Sequence, residues 1–171
     1  MIKYLAAILA IILIVPAFLP NQFQVEKSIT IQSSQENIYS YLVNLESWQE
    51  WSPWMAKEPN AEFSFHGIPG VVGSYTQWSG EVIGAGKQTL TELQGHEYIE
   101  TKLEFTEPNT PDSIGYMKIV DEVNQVKVIW GMKGELSYPI ERVLGLFIPS
   151  MIAPDFEKGL KSLKMRLEAN K

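Results

Sequence analysis

The side chains able to do chemistry are few and scattered. The chain has two histidines, His66 and His96, and no cysteine. Without cysteine there are no disulfides, thiolate nucleophiles or Cys-based zinc sites. His66 ends an alternating stretch just before Gly67, and His96 lies in the turn signal Gln94-Gly95-His96. Neither has a Ser, Cys or carboxylate at a motif spacing, so both read as solvated turn residues rather than a base or a ligand. No H-E-x-x-H, G-x-S-x-G or P-loop pattern occurs. The glycines from Gly80 to Gly86 join two strands and precede no helix, so they read as hairpin turns and not as a nucleotide cradle. No metal and no cofactor is expected. The one catalytic candidate is Asp155. With Glu157 it falls in the first turn of a C-terminal helix, where an acid favours the macrodipole. The sharper reading has Asp155 at a pocket mouth, handling a proton.

The positive signal is apolar. Five Trp, seven Tyr and seven Phe are enough to line a cavity, or simply to fill a core. Where charges mark the outward face of a strand, the inward face follows by alternation. Glu100, Lys102 and Glu104 point out, so Ile99, Thr101, Leu103 and Phe105 point in. Lys118 points out, so Gly115, Met117 and Ile119 point in; Lys127 points out, so Val126, Val128, Trp130 and Met132 point in. Phe63 and Phe65, then Thr76 and Trp78, are inward candidates on uncharged faces. The candidate ligand-binding set is Trp78, Thr76, Phe105, Thr101, Met117, Trp130, Met132, Phe147 and Met151. Methionine adapts to an irregular ligand, and threonines, with Tyr116, supply orienting polar groups.

The elements that must position these residues can be read in order. Gln24–Ile31 is a first strand, with Val25, Ile29 and Ile31 on one face. Ser33 and Ser34 offer N-caps, with Glu36 completing a capping box, for a helix to about Asn44. A short turn at Ser47–Trp51 stops at Ser52-Pro53, because a residue before proline leaves the helical region. Six short strands follow, at 61–66, 74–79, 87–93, 98–105, 113–120 and 125–133, with loops short enough for a meander. The C-terminal part is helical in two stretches, 142–148 and 153–170, with Pro154 placed in the first turn of the longer one. Phe156, Leu160, Leu163 and Leu167 make one apolar stripe on it. A curved seven-stranded sheet needs a cover on its concave face, and this helix alone is long and amphipathic enough.

Ahead of the first strand, Tyr4–Leu19 is an unbroken apolar run preceded by Lys3, with no charge until Glu26. As a helix it spans about 24 Å at ~1.5 Å per residue, slightly short of a ~30 Å hydrocarbon core. Flanking apolar residues and local thinning close that gap. It reads as an uncleaved anchor over residues 1–20, a linker at 21–24 and a domain from 25 to 171. A cleaved secretory signal is the competing reading, but no A-x-A-like site follows the run. Lys3 favours an N-in orientation, with the domain outside the cytoplasm. The formal charge of −6 and the lack of a Lys/Arg stripe exclude a nucleic-acid partner.

Taken together, several segments resemble the SRPBCC (START/birch-allergen-like) superfamily, in its polyketide cyclase/dehydrase-like bacterial branch. They are Trp51-Ser52-Pro53-Trp54; Val72-Gly73-Ser74-Tyr75-Thr76-Gln77-Trp78-Ser79-Gly80; Val128-Ile129-Trp130-Gly131-Met132; Arg142-Val143-Leu144-Gly145-Leu146-Phe147; and Asp155 to Lys164. The resemblance covers residues 25–168. It implies an α+β helix-grip fold around a hydrophobic cavity, without implying one activity. Pro149-Ser150-Met151-Ile152 departs from the pattern. The functional expectation is a membrane-tethered module binding a lipid or other hydrophobic small molecule. A cyclase/dehydratase-type enzyme ranks second for want of an acid/base pair, and a structural or regulatory interaction domain without ligand is the third reading.

Overall fold

The computed structural model describes Tyr4 and residues 14–169. A 3-10 turn, Val15–Phe18, leads into β1 (Gln22–Ile31). Helix α1 (Gln35–Val43), a 3-10 segment (Leu45–Glu50) and the short α2 (Pro53–Lys57) follow. Then come β2 (Glu62–His66), β3 (Tyr75–Ser79), β4 (Ala85–Gln94), β5 (Tyr98–Glu107), β6 (Asn109–Glu122) and β7 (Gln125–Glu135). Helices α3 (Ile140–Gly145) and α4 (Ile148–Ala169) end the chain. The sheet order is β1-β7-β6-β5-β4-β3-β2, antiparallel throughout. The expected meander of β2 to β7 is present, and β1 closes against its last strand.

Local chemistry explains these elements. Ser34 caps α1 by accepting from the Asn37 amide at 3.2 Å, the reach of an N-cap oxygen to the third helical residue. Register shifts at Ala85/Gly86, Leu90/Glu92 and Leu103/Phe105 mark irregularities in β4 and β5, and such bulges bend a sheet. The concave face so formed is covered by α4. Phe156, Leu160, Leu163 and Leu167 are all buried, each contributing roughly 1.5–3 kcal/mol. They meet Ile99, Met117, Ile119, Val126 and Val128 in a solid core at one end of the sheet.

The structure departs from the sequence expectations in four places. Strand β1 begins at Gln22, so the expected linker at 21–24 is largely paired strand, Gln22 to Glu135 through Gln24 to Lys133. Pro53 does stop the preceding turn, but it also opens α2, because a proline at the first helical position loses only an N–H that has no helical partner. Helix α4 starts at Ile148, with Pro154 inside it rather than in its first turn. Tyr116 lies on the outer face of the sheet, between Lys118 and Lys133, not among cavity groups. The predicted anchor over residues 1–20 falls mostly outside the described residues. Among the described residues no helix is long and apolar enough to cross a membrane.

Candidate functional site

At the middle of the concave face, sheet and helix are held apart by aromatic rings. Trp130 of β7 stacks on Phe156 of α4, with ring centroids 4.1 Å apart and planes within 5°. Trp51 and Trp54 meet the same indole at 5.0 and 5.6 Å, edge on. Gly159 permits this closeness, since a Cβ there would lie 2.6 Å from Trp130 Cζ3 and 2.9 Å from Pro53 Cδ. Beyond the cluster, towards β3, β4 and β5, the two layers do not meet. They leave a cavity of about 250 Å³.

The far wall is Trp78, set edge on to Phe105 at 5.8 Å. Its ring lies across β4 at Gly86, where any Cβ would overlap the indole and the Glu104 carbonyl. Phe63, Phe65, Leu103 and Ile152 add apolar wall. Polar groups are sparse. Gln88 Nε2 donates to Thr101 Oγ1 at 3.1 Å, and Thr101 Oγ1 donates to the Gly115 carbonyl at 3.3 Å. The Thr76 hydroxyl is buried and has no hydrogen-bond partner among the described residues. A buried unpaired hydroxyl costs about 1–3 kcal/mol. Thr76→Val is therefore expected to raise stability by about 1 kcal/mol, read as a higher urea midpoint at unchanged slope. A fall in midpoint would show that the hydroxyl is satisfied.

At the rim, Asp155 Oδ2 is ion-paired with Lys57 Nζ of α2 at 2.5 Å. Among the described residues, Asp155 is the one titratable residue in the lining. A second rim element is a carboxylate latch. Glu58 accepts hydrogen bonds from the backbone amides of Glu81, Val82 and Ile83 at 2.8, 2.9 and 3.0 Å. These amides, that of Ile83 foremost, hold its pKa below the usual carboxylate value. The latch positions Ile83, which lines the cavity. A depressed folded pKa means that the latch is intact above about pH 4.5 and is released as pH falls through the lowered value. Amide protection at residues 81–83, corrected for intrinsic exchange, is expected to drop in that acid window, and already at pH 7 in Glu58→Ala. Equal protection in the variant at pH 7 would count against the latch.

Of the predicted ligand-binding residues, Thr76, Trp78, Thr101, Phe105, Trp130 and Met132 line this one cavity. Met117 does not: it faces inward but is sealed in the solid core. Phe147 and Met151 do not either. They are 57% and 72% exposed, because the buried stripe of α4 continues back from Phe156 to Ile152, one position off Met151. Both histidines lie outside the lining. His66 stacks on Tyr75 at 4.7 Å and His96 tilts against Tyr39 at 4.8 Å. The sequence reading missed Trp48, Trp54, Met55, Ile83, Gln88 and Lys57. Pro53 was the available signal for α2, which carries Trp54, Met55 and Lys57.

No protein-family model matches the chain, and no curated protein matches it. Solved structures do. A protein from Nitrosospira multiformis is 16% identical, with a TM-score of 0.63 over 86% of this chain and 99% of that one. Ara h 8.0201 is 10% identical, with a TM-score of 0.58 over 86% and 99%. DynU16, a protein in the dynemicin biosynthetic locus, is 10% identical, with a TM-score of 0.60 over 86% of this chain and 48% of that one. The fold is a helix-grip fold, shared with these structures. The seven-stranded sheet gripping α4 is this arrangement, and identities this low carry the likeness no further than architecture.

Proposed function

We propose that this helix-grip domain binds an apolar small molecule or lipid portion in its internal cavity, tethered by residues 1–20 to a membrane, with the domain on the extracytoplasmic side. The observation that carries the reading is the hollow between β3–β5 and α4, walled by aromatics and supplied with few polar groups. Its volume of about 250 Å³ lies between the ~150 Å³ that accepts benzene and the ~300–1,000 Å³ of drug-sized sites. It therefore suits a one- or two-ring compound or a short acyl chain. The unpartnered Thr76 hydroxyl and the Gln88–Thr101 pair favour a ligand carrying one hydrogen-bonding group.

Four of the five tryptophans line the cavity, so intrinsic fluorescence reports occupancy. Titration of the full chain in detergent with 1-naphthol and with octanoate is the direct test, alongside native mass spectrometry for a retained molecule. Saturable quenching supports the reading. Fluorescence indifferent to every apolar probe, with no retained mass, would overturn it. A cyclase or dehydratase activity is the weaker reading: Asp155 is committed to Lys57, and the lining offers it no second titratable group.

A further inference from the structure

Exposed apolar side chains occur at several turns, Ile68, Val72 and Val82 among them, but one stretch gathers six within a dozen residues. From Leu136 to Pro154 the only charged residues are Glu141 and Arg142. Both are turned back onto the protein. Glu141 accepts from the Ser137 amide at 2.6 Å. Arg142 donates to the Pro16 carbonyl at 3.4 Å and lies 5.6 Å from the Tyr138 ring centroid. Meanwhile Ile140, Val143, Leu144, Leu146, Phe147 and Met151 are exposed. Successive exposed apolar residues of this kind mark a contact surface rather than ordinary solvated helix.

The neighbour of this face indicates its occupant. Helix α3 packs on the 3-10 turn Val15–Phe18, and Arg142 ties the two together. That turn is the end of the apolar run Tyr4–Leu19, and its own Val15 and Phe18 are exposed as well. Whatever receives the apolar run also stands against α3. We propose that α3 and the first turn of α4 form a bilayer-docking face, with Leu144, Phe147 and Met151 inserted at the acyl boundary. This rests on the tether reading of residues 1–20. From Leu136 to Pro154 the sole basic residue is Arg142, already held by Pro16 and Tyr138, which makes insertion, not attraction to anionic headgroups, the source of binding. A zwitterionic surface is the fitting partner. Docking would also set the cavity near the lipid, since Ile152, next to Met151, lines it.

The cysteine-free chain makes single nitroxide labels straightforward. Leu144→Cys, Phe147→Cys and Met151→Cys are each labelled in the full chain, reconstituted into phosphatidylcholine vesicles. Val123→Cys, 89% exposed in the β6–β7 turn, is the aqueous control. Collision with oxygen is compared with collision with a water-soluble nickel chelate. The expected result is several-fold higher oxygen-to-nickel accessibility at the three positions than at 123, unchanged by salt. Nickel access equal to the control would overturn the docking face while leaving the tether, read separately by flotation with the vesicles, in place. Shielding from both reagents would overturn it too, because the face would then be covered by protein. A chain that does not float overturns tether and docking together, whereas the cavity reading stands or falls by the probe titration alone.

Discussion

Phe156→Ala is expected to remove about 3–5 kcal/mol of folding free energy, the cost of deleting a fully buried aromatic from a tight site. Phe156 is 1% exposed and stacks flat on Trp130. Trp54 also packs on it, edge on at 6.3 Å. Removing the ring would leave Trp130 without its stacking partner on α4. For a chain of this size the loss corresponds to a fall in Tm of roughly 6–20 °C. Met165→Ala, an exposed site on the same helix, is the control and should change stability by less than about 0.5 kcal/mol. Calorimetry or thermal circular dichroism gives both values. If Phe156→Ala melted within a degree or two of the parent, the Trp130–Phe156 stack could not be what joins helix to sheet.

Leu103→Trp should weaken binding at least tenfold while leaving the fold intact. Leu103 lies on the cavity wall, on β5 between Thr101 and Phe105. An indole at this position grows into the hollow instead of into packed neighbours, so the usual 1–3 kcal/mol penalty for overpacking is reduced. A ligand displaced by only two methylenes of contact loses about 1.6 kcal/mol at ~0.8 kcal/mol each, which is already more than tenfold in Kd. The expected outcome is at least that loss for naphthol or octanoate, with Tm nearly unchanged. Undiminished affinity in a well-folded Leu103→Trp protein would place the probes elsewhere on the molecule. The open grooves lined by Glu62, Gln77 and Lys87, or by Tyr41 and Glu46, would then be the places to look.

Much of the architecture was legible because charges mark faces. Glu100, Lys102 and Glu104 on β5, with Lys118 on β6 and Lys127 on β7, disclosed which residues turn inward, and burial of Ile99, Thr101, Met117, Ile119, Val128 and Trp130 agrees. Turn glycines and prolines separated the six meander strands to within a few residues. Two things escaped. Proline has opposite meanings at the end of one element and the start of the next, so Pro53 hid α2, and Pro149 and Pro154 hid the true start of α4. Phe147 and Met151, expected in the cavity as apolar residues next to the helix, lie on the surface instead. The second is where the hollow ends, since the cavity was expected only through the family resemblance. Alternation tells which side chains face inward, but not whether facing side chains touch. At Met117 they do. At Trp78 they do not, and the difference lies in close approaches at Gly86 and Gly159 that depend on the relative placement of whole layers.

The pairing of β1 with β7 sets a timetable for synthesis. Each residue of β1 finds its partner about a hundred positions further along the chain, from Ile31 with Val126 to Gln22 with Glu135. At ~5–20 residues per second, the first strand leaves the ribosome roughly 5–20 s before the last exists to receive it. Throughout that interval its backbone donors and acceptors are unclaimed, and Val25 and Ile31, buried in the finished domain, are exposed. Chains that stall before β7 would therefore present a ready edge to any other nascent copy. Completion of the C-terminal third, not of the N-terminal strand, is the event that removes this hazard.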